Sequence, residues 1–153
     1  MCGINGFYSR SLSRSENIIQ KMNLAISHRG PDSNGTWLDE NSGIVLGHQR
    51  LSILDLSKAG YQPMKSESGR FILTYNGEIY NHLIIRKQLE EANLNIKWRG
   101  SSDTETLIKA IDFWGIEETL NKTEGMFAFG LWDQKKRSLT LARDRIGEKP
   151  LYY

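Results

Sequence analysis

The order in which strand-like and helix-like runs follow one another is what most limits the fold of this sequence. Residues 2–8 (CGINGFY) are short, apolar and rich in β-formers, and read as a first strand. Residues 15–26 carry apolar side chains at 18, 19, 22 and 26, close to helical spacing, with Ser13 or Ser15 as cap and His28-Arg29-Gly30-Pro31 as stop. Three strand-like pieces come next, 35–38, 44–50 and 71–75, and an Asn41-Ser42-Gly43 turn signal joins the first two. Two helical runs follow. Residues 80–92 have apolar positions at 80, 83, 84 and 89; residues 103–114 have them at 107, 108, 111 and 114, with Asp103 or Thr104 as cap and Gly115 as terminator. Residues 126–132 and 138–142 then read as a hairpin, and 151–153 as a last strand. Strands and helices come in runs instead of alternating as β-α-β. This order predicts an α+β protein with antiparallel sheet and packed helices, not a parallel doubly wound sheet. A chain of 153 residues suits one core and one domain over 1–153.

Charge and cysteine content narrow the function classes. Lys and Arg number 20 against 18 Asp and Glu, a net charge of +2 with no block of one sign, so there is no footprint for nucleic acid or an anionic membrane. No apolar run approaches the roughly 18 residues of a membrane span. The single cysteine, Cys2, excludes an internal disulfide framework and any CxxC pair. No apolar stretch of the secretory type follows Met1, and a cytoplasmic location is expected. His28, His48 and His82 are widely spaced, with no His or Cys at a local ligand spacing, so no metal site is expected.

Cys2 has two readings when taken alone: a small buried residue, or a nucleophile. Its position directly behind the initiator Met gives the second reading its chemistry. Removal of Met1 leaves a thiol with a reference pKa of about 8.5 beside an α-amine at about 7.7–8.0. The neutral amine then accepts the thiol proton, directly or through water, the activation known for an N-terminal Thr.

Six segments, taken together and in order, change the weighting. They are Met1-CGINGF, His28-RGPDSNG, Gly47-HQRLSILDLS with Gln62-Pro63 behind it, Asn76-GEIYNH, Gly100-SSDTE, and Glu124-GMFAFGLWD leading to Leu141-ARDRIGEKPLYY. This set resembles the glutaminase domain of class II (N-terminal-nucleophile) glutamine amidotransferases, most of all the asparagine synthetase type, over essentially the whole chain. The resemblance implies a four-layer αββα sandwich of two antiparallel sheets. It implies hydrolysis of the glutamine side-chain amide to glutamate and ammonia through a Cys2 thioester.

The resemblance also distributes roles. Arg50 is the candidate for the substrate α-carboxylate, since a guanidinium makes two parallel charge-assisted bonds to it; backbone near Leu51 and Ile53 frames the same pocket. Asp103 is the candidate for the α-ammonium, although a carboxylate at that position also reads as a simple helix cap. The Asn76 carboxamide and the Gly77 N–H are the candidate oxyanion donors; without the resemblance, Asn-Gly reads as a hairpin turn. Glu78 is expected to contribute backbone or to start a helix. The Arg29-Gly30-Pro31-Asp32 segment is expected to shape the wall around the nucleophile, and 126–129 to pack in the core.

No cofactor is expected within this domain. The family's ATP and Mg belong to a C-terminal synthetase domain whose SGGxDS-type loop is absent here, as is a GxxxxGK[ST] loop. The expected partners are L-glutamine and a synthetase domain or separate acceptor-aminating chain, with a homodimer left open. Two alternatives stand beside this reading: a non-catalytic glutamine-binding or interaction domain, and the glutaminase half of an enzyme acting on another acceptor such as a sugar or antibiotic.

Overall fold

A computed structural model describes residues 1–10, 13–93 and 95–153. The elements run β1 (Gly3–Tyr8), α1 (Ser15–Ala25), β2 (Ser33–Asp39), β3 (Ile44–Arg50), β4 (Met64–Lys65), β5 (Phe71–Ile79), α2 (His82–Ala92), α3 (Asp103–Trp114), α4 (Ile116–Lys122), β6 (Gly125–Asp133) and β7 (Ser138–Arg143). They form two antiparallel sheets, one ordered β1-β3-β2 and the other β4-β5-β6-β7. The expected α+β class and antiparallel pairing are both present.

The period-two alternation of the strands builds the layers. In β3, Val45, Gly47 and Gln49 face α1; Gln49 donates to the Asn23 carbonyl at 2.9 Å, and Gly47 leaves space for Ile19 and Asn23. The other face of β3 meets the second sheet. There Ile44, Leu46, Ile72 and Trp132 make a thin inter-sheet core with Trp37. The larger core lies on the far side of the second sheet, where Leu73, Phe127, Phe129 and Leu131 meet Ile85, Leu89, Leu107, Ile108 and Ile111 of α2 and α3. Each such side chain contributes about 1.5–3 kcal/mol on burial. The result is helix, sheet, sheet, helix.

Several local expectations are corrected. Strand β5 does not stop at Tyr75 but continues to Ile79, because its second half pairs with Gly125–Phe127 of β6. Residues 151–153 form no strand; Tyr152 and Tyr153 are exposed. Helix α2 begins at His82 and buries Ile85 and Leu89, leaving Tyr80, Leu83 and Ile84 exposed. Of the apolar positions 80, 83, 84 and 89, Leu89 alone is buried as expected, and Ile85 packs beside it in place of the other three. The α3 stripe at 107, 108 and 111 is buried as expected. Its cap is Ser102, whose hydroxyl accepts the Glu105 N–H, and not Asp103 or Thr104. Arg14 occupies the α1 cap position without a side-chain capping bond, in place of the expected Ser13 or Ser15. Gly115, at φ 86°, ends α3 as expected, but α4 starts directly behind it. The two-residue β4 carries no strand pattern of its own and exists through its pairing with Ile72 and Leu73 of β5.

Candidate active site

The first strand brings Cys2 to the mouth of the inter-sheet space. Gly3 pairs with Gln49, so Cys2 lies beside the end of β3, where Arg50 turns into Leu51. The Leu51 N–H donates to Cys2 Sγ at 3.4 Å, and the thiol donates to the Leu51 carbonyl at 3.6 Å. Arg29 Nε holds the Cys2 carbonyl at 3.2 Å. Burial pushes the thiol pKa up; the Leu51 N–H, the N-terminus and Arg50 pull it down, and Asp103 adds to the rise. A thiol raised in this way needs a base before it attacks. The expected wall is there too. The Asp32 carboxylate accepts the Ser52 N–H at 2.7 Å, and Gly30 lies so close to the Gln49–Arg50 backbone that no Cβ fits.

Strand β5 supplies the facing wall through its free edge. Alternate N–H groups of a strand point the same way. The Tyr75 N–H leaves the ladder for Gln62 Oε1 at 2.7 Å, and the Ile79 N–H leaves it for Asp103 Oδ2 at 3.0 Å. The Gly77 N–H, midway between them, is directed to the same edge and meets no side-chain acceptor among the described residues. Asn76 is buried, and its carboxamide makes no hydrogen bond to any described residue. These two donors therefore sit in mid-strand; Asn76-Gly77 is not a hairpin turn. Nor is Glu78 a helix start, since it lies in β5 opposite Met126. Glycine at 77 is required by a close approach of β6: a Cβ there would overlap the Met126 carbonyl and the Phe127 backbone.

The charged residues stand at element ends, Arg50 closing β3 and Asp103 opening α3. Arg50 is 6% exposed, yet it makes no ion pair among the described residues. Its guanidinium instead donates to the Ser57 carbonyl at 2.9 Å and to the Asp55 carbonyl, and lies 5.2 Å from the Tyr61 ring centre. Asp103 is 5% exposed and likewise lacks a cation. Its oxygens accept the Tyr75 hydroxyl at 2.7 Å and the N–H groups of Ile79 and Thr104. With roughly four acceptor positions on a carboxylate, one remains open. Two buried, opposite, unpaired charges on one cavity are costly unless a ligand brings both counter-charges. A zwitterionic α-amino acid does so.

All eight residues singled out from the sequence, Cys2, Arg50, Leu51, Ile53, Asn76, Gly77, Glu78 and Asp103, line this one cavity, with Met1 at its edge. Ile53, 72% exposed, marks its mouth. Cys2 and Asn76 also line a second cavity, of about 350 Å³, together with Asn5, Arg29 and Leu151. Asp55, Gln62, Tyr75, Met126 and Lys149 line the first cavity and were not identified from the sequence. Asp55 and Gln62 stand inside the quoted segments, so their polar character was the available signal. Tyr75 reads only as the end of a strand, and Met126 as core, although its neighbours Phe127, Ala128 and Phe129 are the buried ones. No group of three His, Cys, Asp or Glu among the described residues is arranged to hold a metal, and no described helix is long and apolar enough to cross a membrane.

Comparison with known proteins adds independent findings. Residues 1–153 match the family model of the glutamine amidotransferase domain. The chain is 40% identical to asparagine synthetase (glutamine-hydrolysing) 1 of Bacillus subtilis, over 100% of its own length and 24% of that protein. It is 38% identical to the amidase chry2 of Gibberella zeae, again over 100% of its length and 24% of that protein. The chain thus spans about a quarter of each of these relatives. Among solved structures, the glutamine phosphoribosylpyrophosphate amidotransferase of B. subtilis superposes with a TM-score of 0.69 at 20% identity, covering 92% of this chain and 37% of the other. That likeness shows a shared fold.

Proposed function

The chain belongs to the glutamine amidotransferase domain family, of the type carried by asparagine synthetases, and on that premise we propose that it hydrolyses the side-chain amide of L-glutamine to glutamate and ammonia through a thioester on Cys2. The observation that carries this reading is the meeting of a thiol, two unengaged oxyanion donors and two unpaired opposite charges on one cavity. Residues 1–153 act as the glutaminase domain.

Removal of Met1 comes first, because it frees the Cys2 amine and vacates the edge of the cavity that Met1 lines. Arg50 takes the substrate α-carboxylate and Asp103 the α-ammonium, while backbone at Leu51 and Ile53 frames the chain and Glu78 flanks the ammonium end. The Cys2 amine accepts the thiol proton, and Sγ attacks the amide carbon. Negative charge grows on the amide oxygen and is met by the Asn76 carboxamide and the Gly77 N–H. The same amine, now protonated, gives its proton to the departing nitrogen, leaving a γ-glutamyl thioester. Water, deprotonated by the amine, releases glutamate and restores the thiol. All these roles fall to residues of this chain, with no cofactor in this domain.

The ammonia leaves through the second cavity, which Cys2 and Asn76 also line, toward a synthetase domain or a separate acceptor-aminating chain. Asparagine formation is the favoured use. The required free thiol fits a reducing compartment such as the cytoplasm.

The test is glutamate release by the Met1-processed chain, with asparagine as control substrate and intact mass to confirm processing. Glutamine turns over, Cys2→Ala abolishes turnover without loss of fold, and a diazo-ketone analogue of glutamine labels Cys2. Turnover persisting in Cys2→Ala removes Cys2 from the mechanism. Glutamine binding with no labelling of processed chain supports a non-catalytic glutamine-binding domain.

A further inference from the structure

The loop behind Arg50 and the loop before Asp103 meet at one side chain, Asp55. It is buried, and its two carboxylate oxygens divide their work. Oδ1 accepts the Ser57 N–H at 2.8 Å, closing the turn whose carbonyls hold Arg50; the Asp55 and Ser57 carbonyls are the two that the guanidinium grips. Oδ2 crosses to the other loop and accepts the Ser101 N–H at 2.9 Å, two residues before Asp103. The Ser101 hydroxyl returns a bond to the Leu54 carbonyl at 3.3 Å.

The receiving loop is fixed from its other side as well. Fully buried Glu105 accepts the N–H groups of Arg99 and Gly100, each at 2.9 Å. Three successive amides, at 99, 100 and 101, are therefore claimed by two carboxylates, one from α3 and one from the Arg50 loop. Gly100 leaves the gap that Asp55 fills: a Cβ on residue 100 would overlap Asp55 Oδ2. Hydrogen bonds, that from Ser57 foremost, hold the Asp55 carboxyl below its ordinary pKa, so it is ionised at neutral pH.

We propose that Asp55 is a positioning residue that sets the span between Arg50 and Asp103, and through that span the selectivity of the pocket for a free α-amino acid carrying both head groups. The inference rests on the glutaminase reading above and assigns its head-group selectivity to a residue without a role in the chemistry. Asparagine at 55 keeps the shape but turns one acceptor oxygen into an NH2 group that faces an N–H, so one of the two loop bonds is lost. Gly100→Ala disturbs the same contact from the opposite side.

The experiment measures glutamine hydrolysis by the Met1-processed chain, by Asp55→Asn and by Gly100→Ala. Two further readouts are the preference for glutamine over glutaramate, which lacks the ammonium, and the rate of Cys2 alkylation by iodoacetamide, which lacks the whole head group. In both variants the glutamine KM rises about tenfold or more, kcat stays within about threefold, the preference over glutaramate falls, and alkylation is unchanged. An unchanged KM and preference overturns the proposal, as does a fall in alkylation that matches the fall in kcat/KM, because Asp55 then supports the nucleophile and not the span. If Asp55→Asn does not fold, Gly100→Ala decides by the same outcomes. Failure of the unmutated chain to release glutamate counts against the glutaminase reading instead. Calorimetric binding of L-glutamate then decides the proposal: Asp55→Asn weakens it about tenfold if the proposal holds, and equal binding overturns it.

Discussion

The two ends of the cavity are built by different means. At the reacting end, ladder pairing fixes the backbone of Asn76 and Gly77, and Cys2 directly precedes the first paired residue of β1. At the head-group end, Arg50 and Asp103 stand where a strand and a helix meet loops, and side-chain acceptors hold those loops in place. Donors at the reacting end are left free, whereas nearly every bond at the other end is already made. The difference shows how one pocket divides its task. On the proposed mechanism, charge that exists before the reaction is met by groups locked in advance, and charge that appears during it by donors kept unengaged.

The comparison breaks first at Asn76. Asn76→Ala removes a donor that acts only when the oxyanion forms, so kcat for glutamine falls about 10²- to 10³-fold with KM within a few-fold. An equal loss in KM alone would move Asn76 to the head-group end. Asp103→Asn is the converse. It removes a charge that greets the substrate before reaction, so KM rises about 10- to 100-fold and kcat is largely kept. Steady-state kinetics on the two variants side by side separates the ends, and a kcat loss at constant KM in Asp103→Asn joins them.

A pH dependence of stability, which leaves the chemistry untouched, sharpens the comparison at the scaffold beneath the reacting end. His48, fully buried between the sheets, approaches the Tyr75 carbonyl to 3.1 Å through Nε2, while Nδ1 has no partner. A carbonyl only accepts, so Nε2 carries the proton of a neutral ring. Burial lowers the pKa to about 4 from an ordinary 6.5. Above pH 6.5 both folded and unfolded forms are neutral and nothing is lost. As the pH falls from 6.5 toward 4 the unfolded chain binds a proton that the folded chain refuses, so stability declines across that window and levels off below it. Linkage puts the full loss at roughly 3 kcal/mol. His48→Gln keeps a donor for Tyr75 and removes the titration. Urea midpoints at pH 7 and pH 4.5 therefore fall further in the unmutated chain than in the variant, and parallel declines would place the titration elsewhere.

Much of the layout was legible because burial imposes periods on a sequence. The α3 stripe, the hairpin at 133–137 and the run Ile44–Arg50 all follow from it. Legibility failed where packing, not pattern, chose the face. At the start of α2, exposed Tyr80, Leu83 and Ile84 imitate a stripe while Ile85 and Leu89 do the packing. It failed again where an interaction distant in sequence overrode a local habit. Asn76-Gly77 has turn chemistry, yet pairing with Ala128 and Phe127 keeps it in a strand.

The sequence by itself determined the kind of chemistry: one thiol at position 2, a guanidinium, a carboxylate and an Asn-Gly pair, in segments whose joint order resembles a single family. It determined the antiparallel class as well, because runs of strands and helices forbid the parallel alternative. Only the tertiary structure decided which atoms are free and which are engaged. Asp55 and Ser101 are 46 residues apart along the chain, and their contact decides the span between Arg50 and Asp103. Hydrogen bonds of that kind depend on where loops end up in space, and local propensity carries no record of it.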